Sequence, residues 1–340
     1  MNQIDVLYTA NHRYLKNALA SILSLYRNAS FNRSKGFKVF LITEHLTIDD
    51  EKLINDVMNL CQGIQFYRYS LDSYPIANYQ IPDWQGTQIA NARLFFQDIL
   101  GRDAYDIDRL LYLDSDTIVV GDLSELHSFD SPICAVPDVL PVQYAQSLNL
   151  SSYYNSGVLL FDVQNWIRQN FQEQLIDYIH SHILKDLKYP DQDLLNIVFQ
   201  PYLSNLPFSY NVHSSIGALD PPFLKIFCQK KGLSYEALSF AKENPKILHS
   251  TAFFDIKPWT NNRIHPYASV FQTYLYQVDS NYLPDQLSGV RGILAQHPTL
   301  FYLLYYTNLL IPSNFHTKYY GTLPPERDND ANNSKCLKLK

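Results

Sequence analysis

Short apolar runs separated by amphipathic stretches dominate the first 114 residues. Ile4 to Thr9 (IDVLYT), Phe37 to Thr43 (FKVFLIT), Ile64 to Tyr69 (IQFYRY) and Leu110 to Leu113 have the length and content of buried strands. Between them, Leu15, Ala18, Leu19, Ile22 and Tyr26 recur at helical spacing, as do Leu53, Ile54, Val57 and Leu60. Thr47 with Asp50 three residues on resembles a capping box at the start of the second helix. Gln88 to Leu100 predicts a third helix. This alternation implies an α/β fold with a mainly parallel sheet and helices on both faces. Ligands bind such sheets outside the carboxyl ends of the strands. Thr9 and Asp114 both fall at such ends, so their loops form one site if the two strands are neighbours.

The rhythm changes after residue 130. Ile133 to Pro137 and Gly157 to Phe161 read as strands, and Asn165 to Leu184 as one long amphipathic helix. Residues 200–245, rich in Pro, Ser and Asn, read as irregular. Lys246 to His249 reads as a late strand and residues 260–312 as mostly helical. Gly321 to Lys340 is polar and reads as disordered. The expected organisation is an α/β catalytic domain over 1–260, a helical extension over 261–315 and a polar tail over 316–340.

Composition narrows the function classes. Of 340 residues 46% are hydrophobic, and the net charge is −6 with no Lys/Arg cluster, which argues against a nucleic-acid partner. Cys61, Cys134, Cys228 and Cys336 show no metal-binding spacing and read as free thiols of a reducing compartment. The N-terminus, MNQIDVLYTANHRY, does not read as a signal peptide. No apolar run reaches the roughly 18–20 residues of a membrane span. The longest, Leu300 to Ile311, reads either as a buried helix or as an amphipathic anchor helped by Lys335, Lys338 and Lys340. The expected location is cytoplasmic, with a peripheral contact at the inner face of the membrane through this C-terminal region.

The chemistry centres on RLLYLDSDTIVVGD (109–122), where Asp114 and Asp116 interrupt two apolar runs. The spacing alone decides little, because Asp-x-Asp occurs four times in the chain. Two readings stand: a solvated turn, or a pair of carboxylates whose repulsion a Mg²⁺ or Mn²⁺ relieves. His249, at the end of KILH, reads as a core histidine or as a third ligand, since Mn²⁺ tolerates one imidazole among oxygens. In YPDQD, Asp191 reads as a helix cap and Asp193 as a dipole partner, or one carboxylate meets sugar hydroxyls. Asn155 lies in an Asn-Ser-Gly turn, and Arg93 lies within a helical pattern. There is no phosphate-cradling Gly-rich loop, no dinucleotide-binding G-x-G-x-x-G and no nucleophile elbow.

Seven segments, in order, resemble family 8 of the retaining glycosyltransferases, which includes glycogenin and bacterial lipopolysaccharide galactosyl- and glucosyltransferases. They are VLYTANHRYL (6–15), ANARL (90–94), DRLLYLDSDTIVVGDLSEL (108–126), AVPD (135–138), YYNSGVLLFDVQNW (153–166), YPDQDLLN (189–196) and ILHSTAFFDIKPW (247–259). The resemblance implies a nucleotide-sugar-binding fold of the GT-A type and a UDP-sugar donor. It implies Mn²⁺, with Mg²⁺ as the alternative, held by Asp114, Asp116 and His249. Lys257 would then meet the diphosphate, Arg93 the donor, and Asp138 and Asn155 the sugar or the acceptor. Thr9, Asn11 and Ser115 complete the donor-contacting set. Asp191 would bind sugar hydroxyls, with Gln192 on the face of the anomeric carbon opposite the leaving UDP. The implied reaction moves glucose or galactose to a glycan, glycolipid or glycoprotein acceptor.

Three departures from the family pattern stand out. The first loop reads Ala10-Asn11-His12-Arg13, without the usual uracil-binding Asp, so the contact falls to Asn11, His12 or backbone. Ala252 replaces a Gly, and two extra residues precede Lys257. Residues 260–340 match nothing recognisable. Two rival expectations are an inactive, sugar-binding relative and a nucleotidyltransferase, which normally needs the basic Gly-rich first loop that residues 9–16 lack.

Overall fold

The computed structural model of the chain describes residues 3–30, 36–140, 142–251, 253 and 256–310. Apolar runs and amphipathic segments fold as their periods dictate into β1 (Ile4–Asn11), α1 (Leu15–Asn28), β2 (Phe37–Glu44), α2 (Ile48–Leu60) and β3 (Ile64–Ser70). Thr47 and Asp50 close a complete capping box on α2, each side chain accepting the other's backbone N–H at 3.2 and 2.8 Å. Residues 88–100 do not form the single helix expected. A 3₁₀ turn over Asn91–Phe95 leads into a short α3 (Phe96–Leu100), and this turn carries Arg93 into the interior, 5% exposed.

The chain then runs through β4 (Arg109–Asp114), β5 (Thr117–Val119), β6 (Ile133–Pro137), α4 (Val142–Ser147) and β7 (Tyr154–Asp162). It continues with α5 (Val163–Arg168), α6 (Phe171–Ser181), α7 (Pro190–Phe199), β8 (Leu203–Asn205) and β9 (Val212–His213). After these come α8 (Ser214–Gly217), α9 (Pro221–Lys231), α10 (Tyr235–Glu243) and β10 (Ile247–His249), then α11 (Ala268–Val278), α12 (Gly289–Gln296) and α13 (Pro298–Leu310).

Seven strands form the central sheet in the order β3-β2-β1-β4-β7-β6-β8. β7 is the antiparallel member; the other pairings are parallel. β1 to β3 build outward on one side and β4 begins the other, so the strand order reverses between β1 and β4. A second sheet, β5-β10-β9, stands beside it. Alternate residues of the central strands feed two separate cores. Val6, Tyr8, Leu111, Leu113, Val158 and Leu160 join one, whereas Leu7, Leu110, Tyr112, Leu159 and Phe161 join the other. The continuous apolar runs seen in the sequence follow from this two-sided burial.

Two further sequence expectations are corrected. The helix expected over 165–184 is two helices, because Asn170 takes a left-handed φ of 54°, which Asn tolerates. The break turns the chain so that Trp166 and Phe171 meet edge to face, 5.5 Å between ring centroids, in the core. Residues 200–245 are not irregular. Their Pro and Ser residues punctuate helices: Pro221 starts α9, Gly232 with φ +68° ends it, and Ser234 caps α10 by accepting the Ala237 N–H at 3.1 Å. The remaining tail, 311–340, with its lysines and Cys336, lies outside the described residues.

The C-terminal helices share the first core through Phe271, Leu275, Ala295, Phe301 and Tyr305. In α13, Phe301 and Tyr305 are buried while Leu300, Leu303 and Leu304 are exposed. Among the described residues no helix is long and apolar enough to cross a membrane. Cys61, Cys134 and Cys228 are buried free thiols.

His265 ties this extension to the second sheet. Its Nδ1 accepts the Tyr267 N–H (3.2 Å), so Nε2 carries the proton that reaches Ser214 Oγ (3.1 Å). Burial first, and the Lys257 charge second, push its pKa from 6.5 down to about 3. The unfolded chain therefore takes up this proton first. The stability tied to His265 is full above about pH 6.5 and is lost as pH falls toward 3. Between pH 7.5 and 5 this amounts to about 2 kcal/mol. Denaturant titrations at both pH values should show a smaller loss for His265→Gln than for wild type. Equal losses would mean that His265 does not drive the acid lability.

Candidate active site

The site forms where the strand order reverses, the position at which open α/β sheets bind ligands. β1 and β4 are adjacent, and Thr9 pairs in register with Asp114. The condition left open by the sequence, that the two strand ends be neighbours, is met. The chain leaves β4 through Asp114-Ser115-Asp116, a tight turn closed by Thr117 Oγ1 donating to Asp114 O at 2.8 Å, and enters β5 of the second sheet. β10 pairs antiparallel with β5 and sets His249 against Thr117, so His249 arrives beside the turn. The Asp-x-Asp stretch is thus a turn, and it is also where the charged residues converge.

Asp114, Asp116 and His249 each offer one ligand atom, and these atoms lie within 4.8 Å of one another. His249 Nε2 is 3.5 Å from Asp114 Oδ2 and 3.2 Å from Asp116 Oδ1. Two cationic side chains balance the carboxylates: Arg93 Nη1 lies 3.0 Å from Asp114 Oδ1, and Lys257 Nζ 2.9 Å from Asp116 Oδ2. Burial raises the Asp116 pKa, but the Lys257 charge and the hydrogen bond it donates outweigh it and hold the carboxyl well below its usual range. Burial lowers the Lys257 pKa, yet the Asp116 charge leaves it raised. Lys257 also donates to Ser250 O at 2.9 Å, and its ammonium lies 5.3 Å from the Trp259 ring centre. Tyr112 supports Asp114 from beneath, donating to Oδ1 at 2.7 Å. Thr9 bonds the same phenol at 3.0 Å, and Arg93 lies over its ring.

A second set of residues flanks the carboxylates. Arg93 Nε reaches Asp191 Oδ2 at 3.3 Å, and Ser156 Oγ donates to the same oxygen at 2.8 Å. Burial raises the Asp191 pKa, with Arg93 and Ser156 opposing it. Gln192 Oε1 accepts from the Ser156 N–H and from Asn155 Nδ2, both at 3.0 Å, while Gln192 Nε2 and Asn155 Nδ2 donate to Asp138 Oδ2. Asp191 is not the helix cap the sequence allowed. Tyr189 holds the N-cap position of α7 with no side-chain bond, and Asp193 instead reaches back to the Lys188 and Tyr189 N–H groups. Burial raises the Asp193 pKa, and the Tyr153 phenol opposes this.

In the first loop, Asn11 Oδ1 accepts the Tyr14 N–H at 3.2 Å at the entry to α1. His12 Nδ1 lies 2.7 Å from Asp50, which brings a carboxylate to the loop that lacks its own. Burial raises the Asp50 pKa, but bonds from Thr47 and His12 leave it lowered. Of the departures before Lys257, residues 252, 254 and 255 lie outside the described residues.

Several residues escape sequence reasoning. Asn211 Oδ1 lies 2.8 Å from His249 Nδ1, and the buried His213 ring meets His249 edge to face. Burial pushes His213 down to about 4, with Asp138 opposing. Burial also pulls Lys231, at the end of α9, down to about 8, again with Asp138 opposing. All three fall in the stretch read as irregular; Asn211 and His213 lie at a two-residue strand, which leaves no periodic signal.

The donor set of two carboxylates and one imidazole fits Mn²⁺, and less well the more oxygen-selective Mg²⁺. Gly157 marks how tightly this cradle is built. A Cβ there would lie 2.3 Å from His249 Cε1 and 2.7 Å from Asp114 Oδ2, so any larger residue must push these two side chains out of place. Gly157→Ala should therefore fold but bind Mn²⁺ roughly tenfold or more weakly, measured by calorimetry. Wild-type affinity in a folded Gly157→Ala chain would show that the cradle yields.

Residues 5–263 match the family model described as glycosyl transferase family 8. General stress protein A of Bacillus subtilis (strain 168) is 25% identical over 281 residues, covering 80% of this chain and 93% of that protein. A lipopolysaccharide 1,2-glucosyltransferase of Escherichia coli is 28% identical over 265 residues, covering 75% and 73%. Among solved structures, galactosyltransferase LgtC, in complex with donor and acceptor sugar analogs, superposes with a TM-score of 0.62. It is 18% identical and covers 81% of this chain and 96% of that one. The likeness establishes the fold as GT-A type. The reversal point of the sheet, with its paired carboxylates, thus sits in a chain that is a glycosyltransferase and belongs to glycosyl transferase family 8.

Proposed function

We propose that this glycosyltransferase moves a hexose, glucose or galactose, from a UDP-sugar to a carbohydrate acceptor with retention at the anomeric carbon. The observation that carries the reading is the convergence of Asp114, Asp116 and His249 with Lys257 and Arg93 at the β1/β4 reversal. A glycolipid-borne glycan is the acceptor class favoured by the lipopolysaccharide glucosyltransferase relative.

Asp114, Asp116 and His249 would hold Mn²⁺, which supplies positive charge to the donor diphosphate. Lys257, paired with Asp116, is placed to follow the charge that develops on UDP as the bond to C1 breaks. Thr9, Asn11 and Ser115 line the strand ends and turn where the nucleotide would lie. Asp191 is anchored by Arg93 and Ser156, which suits a carboxylate that accepts sugar hydroxyls. Gln192 presents an amide oxygen already oriented by two donors, which suits stabilisation of positive charge on the sugar. Asp138 and Asn155, bonded to each other, would meet the sugar or the acceptor. Each of Asp114, Asp116, Asp138 and Asp191 is already engaged by a hydrogen-bonding or ionic partner, so none stands unengaged to activate an acceptor hydroxyl. This supports attack from the face of departure, with the leaving phosphate taking the acceptor proton.

The test is a panel of UDP-sugars, with Mn²⁺ present or chelated, following slow UDP release. Release with one hexose donor, lost on chelation and lost in Asp116→Asn, is expected. No release with any donor, together with no UDP binding by calorimetry, would sink the reading and favour an inactive sugar-binding relative.

A further inference from the structure

The orientation of His249 is set by a chain of hydrogen bonds whose polarity can be read from one end. The Gly157 N–H lies 2.9 Å from a terminal atom of the Asn155 amide. A backbone N–H only donates, so that atom is Oδ1 and the other is Nδ2. Asn155 Nδ2 then donates to Asp138 and Gln192, both acceptors, which agrees. The Asn211 amide lies 2.8 Å from Asn155 Oδ1 and must donate to it through Nδ2. The remaining Asn211 atom, 2.8 Å from His249 Nδ1, is therefore the oxygen. An amide oxygen accepts only, so His249 Nδ1 carries a proton. Asn155, Asn211 and His249 are all buried, at 8%, 1% and 4% exposure, so water does not compete for these bonds.

The consequence lies on the other ring nitrogen. With the proton held at Nδ1, the neutral imidazole has its lone pair at Nε2, the atom facing Asp114 and Asp116. Without an acceptor at Nδ1, the ring proton would sit at Nε2 and bond to Asp116, filling the place of a cation. Asn211 reaches this position because it immediately precedes β9, whose His213 pairs in register with His249 of β10.

We propose that Asn211 is the positioning residue that holds His249 in its metal-binding tautomer and couples it to Asn155 on the sugar side of the site. This rests on the metal reading of Asp114, Asp116 and His249 given above.

The test uses the full chain, with Mn²⁺ as probe and calorimetry as readout. Asn211→Leu, which is similar in size and lacks the acceptor, should bind Mn²⁺ about 10–100-fold more weakly than wild type. Asn211→Asp keeps the acceptor and should bind at least tenfold more tightly than Asn211→Leu. Long-range ¹H–¹⁵N spectra of the wild type with Mg²⁺ should show His249 protonated at Nδ1, a readout that needs no variant. A folded Asn211→Leu chain that matches wild-type affinity, or a wild-type His249 protonated at Nε2, overturns the inference alone. A wild type that binds no Mn²⁺ overturns the metal reading and this inference with it.

Discussion

Two carboxylates one residue apart, at the mouth of a buried strand, repel each other unless positive charge comes to them. The rest of the site answers that constraint. Arg93 arrives from a 3₁₀ turn, Lys257 from the chain after β10, and His249 from β10 itself. Arg93 and Lys257 are themselves largely drawn out of water, and the carboxylates are the opposite charges that compensate them. Removing one partner therefore leaves a buried charge unpaired, at a cost of several kcal/mol. The cluster is interdependent, and the Lys257 charge holds the Asp116 pKa low beside Asp114.

That interdependence reaches into the fold. Reversal of strand order between β1 and β4 puts the first loop beside the Asp114 turn, and the antiparallel β5–β10 pairing delivers His249. β7 passes close enough to touch both His249 and Asp114 only because residue 157 has no side chain. From the same strand, Asn155 and Ser156 run into Asp138, Asp191 and Gln192. The Asp114–Asp116–His249 cluster and the Asn155, Asp138 and Gln192 group are thus one hydrogen-bonded body, with Asn211 as the link between Asn155 and His249.

The parts legible in the sequence were those with a repeating period or a punctuating residue. Continuous apolar runs announced β1, β2 and β4 because both sheet faces are covered, and Thr47 with Asp50 announced α2 through a local bond. The paired carboxylates drew notice as charges between apolar runs, though only their place in the sheet separated Asp114 and Asp116 from three similar pairs. What stayed hidden depends on contacts distant in sequence or on single backbone angles. Asn170 splits a helix by one left-handed residue. The Pro and Ser residues of 200–245 start and cap helices there, although the same residues elsewhere signal loops. Asn211 matters through an amide that meets His249, 38 positions away, and no period points to it.

The central claim is that Asp114, Asp116 and His249 are gathered around a cation, with Lys257 and Arg93 completing the charge balance. Anomalous diffraction from crystals grown with Mn²⁺ and UDP tests it most directly. The account predicts a manganese peak within coordinating distance of Asp114, Asp116 and His249 Nε2, with the UDP diphosphate against it and Lys257 turned toward the phosphates. UDP bound with no such peak, and Lys257 and His249 still paired to Asp116, would contradict it.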